Sequence, residues 1–190
     1  LPQITYTTNT GSSSTLDVKI NAVNDAPTAF NAALRTTEDT PLVLSSKDFN
    51  FNDPDGNALS SVTITTLPLT GGTLQYKADN GSWVNVTLNQ VITAADIDAG
   101  RLQFLPTLNA SGAASFGFKV SDGTLTSTLA YTTSITVAPV DDASVLTADT
   151  FATAEDVIST GNVLTNDRDV DSTLTVASFK IAGLDTPFTA

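Results

Sequence analysis

The sequence contains no cysteine, histidine or methionine, and each absence closes off chemistry. Without cysteine there are no disulfides. Without either cysteine or histidine there is no zinc, haem or iron–sulfur site built on those ligands. A Ser-His-Asp or Cys-His catalytic set is likewise impossible. Basic residues are few, with 8 Lys and Arg against 20 Asp and Glu and a net charge of −12. Nucleic acid and anionic membrane, which reward positive charge, are poor partners for such a chain. No apolar run approaches the length that spans a bilayer, so no membrane insertion is expected. The stretch that starts at Leu1 shows no basic n-region, so no signal peptide is visible in it, and it opens in mid-pattern, as an excerpt of a longer protein would.

What is present is a repeat. Val23 matches Val140, Asp25 matches Asp142, Glu38 matches Glu155 and Asp39 matches Asp156, each pair 117 positions apart. Val18 and Ile20 fall on Ile135 and Val137 at the same offset, and Asp53-Pro-Asp55 falls on Asp169-Val-Asp171 at 116. Tandem repeats of about 117 residues follow. Residues 1–22 read as the last strands of one copy, 23–139 as a complete copy and 140–190 as the start of the next.

The pattern inside the complete copy is all-β. Phe116, Phe118 and Val120 alternate, as do Leu129, Tyr131, Thr133, Ile135 and Val137. Further strands are expected at 41–45, 60–66, 73–77, 83–88 and 102–105, with a single helical turn over Thr93–Asp98. Asp79-Asn80-Gly81 marks a hairpin, and Asn-Gly suits a type I′ turn. About seven short strands in such a length predict a Greek-key β-sandwich of immunoglobulin-like type.

The acids gather at turns and junctions. Asn24-Asp25 and Asp141-Asp142 lie where copies meet, Asp53-Pro-Asp55-Gly56 is a turn, Asp122-Gly123 ends a strong strand, and Asp96 and Asp98 flank Ile97. Carboxylates crowded together repel one another and lose hydration, and a cation relieves both. Calcium suits such oxygen-only ligands, whereas magnesium holds its waters and transition metals lack nitrogen or sulfur here. Asp167-Arg-Asp169-Val-Asp171 begins like an EF-hand loop but carries Ser172 and Ser178 where glycine and the bidentate glutamate belong. Any calcium site is therefore assembled from distant segments. Turn formation alone accounts for Asp79, Asp149 and Asp185; it does not account for Glu38 recurring as Glu155.

VNDAPTAF, at 23–30, resembles the linker signature of cadherins, and the set NDAP, EDTP, DPDG and SDG is similar to cadherin-like tandem repeats of large, type I-secreted (RTX) bacterial surface adhesins. The resemblance implies calcium between successive domains. Carried onto this sequence, it implies Glu38, Asp96, Asp98, Asp141, Asp142, Asp169 and Asp171 as ligands at the 140–142 junction. At the 24–25 junction it implies Asn24, Asp25, Asp53, Asp55 and Asp122. The seven carboxylates of the first set would balance about two or three ions. The pattern departs from cadherins at Ala22 and Pro139, where the linker's first Asp belongs, and at Ala26 and Ala143, where its second Asn belongs.

The reading is a non-enzymatic, calcium-rigidified extender repeat of a secreted, cell-surface adhesin. It would project a distal domain for cell adhesion or biofilm formation, with neighbouring repeats of the same chain as partners. The alternative is a β-sandwich module binding carbohydrate or like repeats on another cell, accessory to a polysaccharide-degrading enzyme in one version. For that role Trp83 and Tyr76, read as facing each other across the hairpin, form the candidate sugar platform, against a bland part in sheet packing.

Overall fold

The computed structural model describes residues 3–181 and the backbone of 188–189. β1 (Gln3–Thr7) and β2 (Ser13–Asp17) make an exposed hairpin ahead of the main body. The body contains β3 (Ala32–Thr37), β4 (Leu42–Val43), β5 (Ser61–Thr66), β6 (Gly72–Lys77), β7 (Trp83–Asn85) and β8 (Val91–Thr93). It continues through a five-residue helix, α1 (Ala94–Asp98), to β9 (Leu102–Pro106), β10 (Gly112–Ser121) and β11 (Tyr131–Ala138). Short β12 (Ser178–Phe179) and β13 (Phe188–Thr189) pair near the end of the chain. Among the described residues, no helix is long and apolar enough to cross a membrane.

Two sheets form a β-sandwich. One runs β3-β11-β10-β5-β8 and the other β4-β9-β6-β7. The strands alternate as half-buried strands must: in β11, Thr133, Ile135 and Val137 point inward while the residues between them face solvent. The inward sets of both sheets meet in one core. Phe49 lies at its centre, on a short 3-10 helix (Ser46–Phe49), with its ring 5.0 Å from Phe118 in an edge contact. Among the described residues, every buried hydrophobic side chain lies between Ala29 and Val137.

The pairing of β3 with β11 is parallel, Ala32 beside Thr133 and Thr37 beside Ala138. Both strands therefore finish at the same end of the sandwich, here called the trailing pole. β10 runs antiparallel to β11, so the Asp122 turn after it reaches the opposite, leading pole. Topology thus delivers one acidic set to each end.

Three local expectations change. The three-residue strand β8 replaces part of what reads as loop, since it is too short to carry a periodic signal. Leu129 is exposed ahead of β11 instead of lying in it, with its carbonyl accepting from Ser127 Oγ. The β6–β7 hairpin closes around Asp79, Asn80 and Gly81, with Ala78 N–H bonded to Ser82 O and Gly81 N–H to Ala78 O. Only Gly81 has positive φ, at 83°. This is a three-residue loop, not a type I′ turn.

Candidate metal centres at the two poles

At the leading pole the linker meets two turns. Asn24 holds both, its Nδ2 donating to Asp122 Oδ2 at 2.8 Å and its Oδ1 accepting from Asn57 Nδ2 at 2.6 Å. The Asp25 N–H donates to Asp55 Oδ2 at 2.7 Å. Asp53 shapes its own turn, with Oδ1 accepting the N–H groups of Asp55 at 2.9 Å and Asn57 at 3.1 Å. Its other oxygen, Oδ2, is buried and has no hydrogen-bond partner. The Asp122 carboxyl lies below the usual carboxylate range, held there by the Asn24 amide first and then by the N–H groups of Leu125 and Thr124. All five residues assigned to this junction from the sequence meet here.

At the trailing pole Glu38 extends the β3–β11 ladder. Its N–H donates to Ala138 O at 2.9 Å, and its Oε1 accepts the Val140 N–H at 2.5 Å. The side chain is only 3% exposed. Beyond it, the Asp142 N–H donates to Asp171 Oδ2 at 2.7 Å. Asp169 Oδ1 accepts from the Asp171 and Ser172 N–H groups, and its Oδ2 from Ser144 Oγ. Those bonds hold the Asp169 carboxyl below the usual range, that to Ser144 first. Asp142 is pushed the other way, by burial first and then by the charges of Asp171, Asp39, Glu38 and Asp141. Its Oδ2 is also buried without a partner.

The two poles repeat one design. The Asp25–Asp55 bond recurs as Asp142–Asp171, and the isolated bridge Thr28–Asn52 recurs as Val145–Arg168. Asp39 and Asp156 both adopt left-handed backbone, with φ of 58° and 60°. Asp39 faces the trailing cluster, where it contributes to the field on Asp142 and accepts the Asn109 N–H at 2.9 Å. The sequence assignment left it out, although its recurrence as Asp156 was the available signal.

Asp96 and Asp98 do not join this cluster. Thr93, the N-cap of α1, lies beside Ser61, and Ser61 lies beside Ser121, so α1 starts at the leading end. There Asp96 pairs with Arg101 at 2.9 Å and accepts from Thr93 Oγ1. Asp98 accepts the Ser46 N–H at 2.9 Å, which lowers its carboxyl below the usual range. These carboxylates serve caps and an ion pair. Asp79, read as a turn former, is the second partner of Arg101, at 2.5 Å. Asp185 lies outside the described residues.

Among the described residues, no three carboxylates already converge as a set that would hold a metal ion. Glu38, Asp39, Asp53, Asp55, Asp122, Asp169 and Asp171 instead each turn one carboxylate oxygen to backbone N–H groups. Among these carboxylates, the Oδ2 atoms of Asp53 and Asp142 are the ones buried without a hydrogen-bond partner. Buried acceptors without donors are rare because they forfeit hydration for nothing. A hard cation is the partner that an anionic oxygen, crowded by like charges, fits best. The residues present therefore suit calcium in kind, as oxygen-only donors with one orphaned buried oxygen at each pole.

A family model described as a Cadherin-like domain matches residues 23–138. No curated protein matches the chain. Among solved structures, an endo-fucoidan hydrolase of glycoside hydrolase family 107 is 22% identical over 72% of this chain and 19% of that one, with a TM-score of 0.32. This chain thus spans about a fifth of that protein's length, and the likeness carries no argument.

Proposed function

The chain belongs to the Cadherin-like domain family, and from that premise we propose that it is a calcium-rigidified extender repeat of an extracellular, cell-surface adhesin. The observation that carries the reading is the duplicated pole: one hydrogen-bond scheme at both junctions, with a buried, unpartnered carboxylate oxygen in each. Asn24, Asp25, Asp53, Asp55 and Asp122 would hold calcium at the leading pole. Glu38, Asp39, Asp141, Asp142, Asp169 and Asp171 would do so at the trailing pole. Bound calcium supplies positive charge that cancels the repulsion among these carboxylates.

The chain's own residues do the rest. Glu38 fixes the exit of the linker by holding Val140, and Asp55 and Asp171 fix the linker on the turn of the copy that follows. A linker tied at both ends transmits orientation from one sandwich to the next, so an array of such copies extends as a stiff rod. Extracellular modules bind calcium at about 10⁻⁴–10⁻³ M, which sets the rod to stiffen in external medium. No catalytic constellation is proposed.

Small-angle scattering of the chain in millimolar calcium and in chelator tests the mechanical claim. A longer, narrower particle in calcium supports it. Identical profiles, under conditions where calcium binding is measured independently, would remove it.

A further inference from the structure

The outer face of the four-stranded sheet carries a second feature, formed by none of the residues assigned to the two poles. Register aligns Val43, Gln103, Gln75 and Asn85 in one row across β4, β9, β6 and β7. The three amides are joined head to tail: Gln103 Nε2 donates to Gln75 Oε1 at 3.0 Å, and Gln75 Nε2 to Asn85 Oδ1 at 3.3 Å. Trp83, two residues from Asn85 on the same face of β7, is 36% exposed and sits opposite Lys77, whose Nζ lies 5.8 Å from the ring centroid. At sheet spacing the amide row is about 10 Å long. Gln103 is buried at 6% exposure and serves to orient Gln75, whereas half-buried Gln75 keeps a second N–H and exposed Asn85 keeps both of its own.

The chemistry selects an occupant. A protein interface buries an apolar centre, whereas the centre of this face is a row of neutral amides. Polyanions are opposed by the net charge of −12, and Lys77 is the one charge among the strand residues of the face. A neutral, hydroxyl-rich polymer with an apolar ring face answers both features. Its hydroxyls meet fixed amide donors and acceptors, and its C–H face lies on an aromatic plane. We propose that the outer face of the β4-β9-β6-β7 sheet is a binding platform for neutral polysaccharide, with Trp83 as the stacking residue, Gln75 and Asn85 as the amides that read hydroxyls, and buried Gln103 as the residue that positions Gln75. The site is independent of the calcium reading, and it adds an attachment role to a repeat otherwise read as a spacer.

Trp83 is the only tryptophan, so its emission reports on this face directly. The experiment titrates the whole chain with xyloglucan, galactomannan and hydroxyethylcellulose, and with alginate as the anionic comparison. It reads tryptophan fluorescence and retardation in native gels, in calcium and in chelator. A saturable emission change and retardation by a neutral polymer, alike in both media, are expected. Trp83→Ala should abolish retardation and Gln75→Ala should weaken it about tenfold, with far-UV circular dichroism unchanged. Tyr76→Phe, on the core-facing side, should leave it intact. No response to any neutral polymer, binding that survives Trp83→Ala, or binding of alginate alone through Lys77 would each overturn the proposal.

Discussion

Glu38 closes β3 with a buried carboxylate whose Oε1 accepts the Val140 N–H at 2.5 Å. The bond joins the end of one strand to the first residues beyond another, so it sets the direction in which the chain leaves the sandwich. Glu38→Ala leaves that N–H without its charged acceptor and should cost about 2 kcal/mol in chelator. Glu38→Gln keeps an acceptor and should recover most of that stability while losing charge for a cation. Urea unfolding in calcium and in chelator separates the two effects: the glutamine variant should resemble wild type only in chelator.

Asp142 makes the opposite trade. Burial and four neighbouring carboxylates raise its pKa, so its charge works against the folded state at neutral pH. Asp142→Asn should therefore raise the melting temperature in chelator and lower calcium affinity at the trailing pole. Paired melting curves and calorimetric titration check both directions. A variant that loses stability in chelator would contradict the assignment of repulsion to this site.

The pH dependence has two signs. Asp98, Asp122 and Asp169 have depressed pKa values in the folded chain, by hydrogen bonds to Ser46, to Asn24 and to Ser144 respectively as the first cause. Their stabilisation is present above the ordinary aspartate value and is lost as pH falls through their lower folded values. The raised value of Asp142 acts in reverse, since the folded state takes up its proton more readily. In chelator, lowering the pH toward the ordinary aspartate value should first relieve the trailing pole, and further acid should then destabilise the fold. Melting temperature against pH should lose its early rise in Asp142→Asn.

The gathering of acids at the two ends of the sandwich was legible because most of them recur at offsets of 117 or 116 and sit at turn residues, two features that do not depend on where the strands fall. Asp96 and Asp98 were misplaced for a topological reason. Three-residue β8 inverts the direction of the chain just before them, and nothing so short announces itself in a sequence. The Tyr76–Trp83 platform failed by one residue of loop. A two-residue turn would put both rings on one face, but the loop around Gly81 pairs Tyr76 with Val84 and Lys77 with Trp83, sending the rings to opposite faces. The amide row could not be seen until that register was known.

Placing Asp96 and Asp98 at α1 has its own test. Asp96→Asn and Asp98→Asn should leave calcium affinity unchanged, while Asp169→Asn and Asp171→Asn should reduce it. Asp96→Asn should still lower stability modestly, by up to about 1 kcal/mol, through the partly exposed Arg101 pair. Calorimetric titration of the four variants decides the matter, and a calcium defect in Asp96→Asn would restore it to the junction.

Thermal unfolding of the whole chain in millimolar calcium, in equal magnesium and in chelator addresses the central claim most directly. Calcium at about a hundred times its dissociation constant stabilises by about 2.7 kcal/mol, an upward shift on the order of 10 °C for a domain of this size. The account predicts that shift in calcium alone. Superimposable curves in all three media would contradict it and return the acidic poles to turn formation and surface charge.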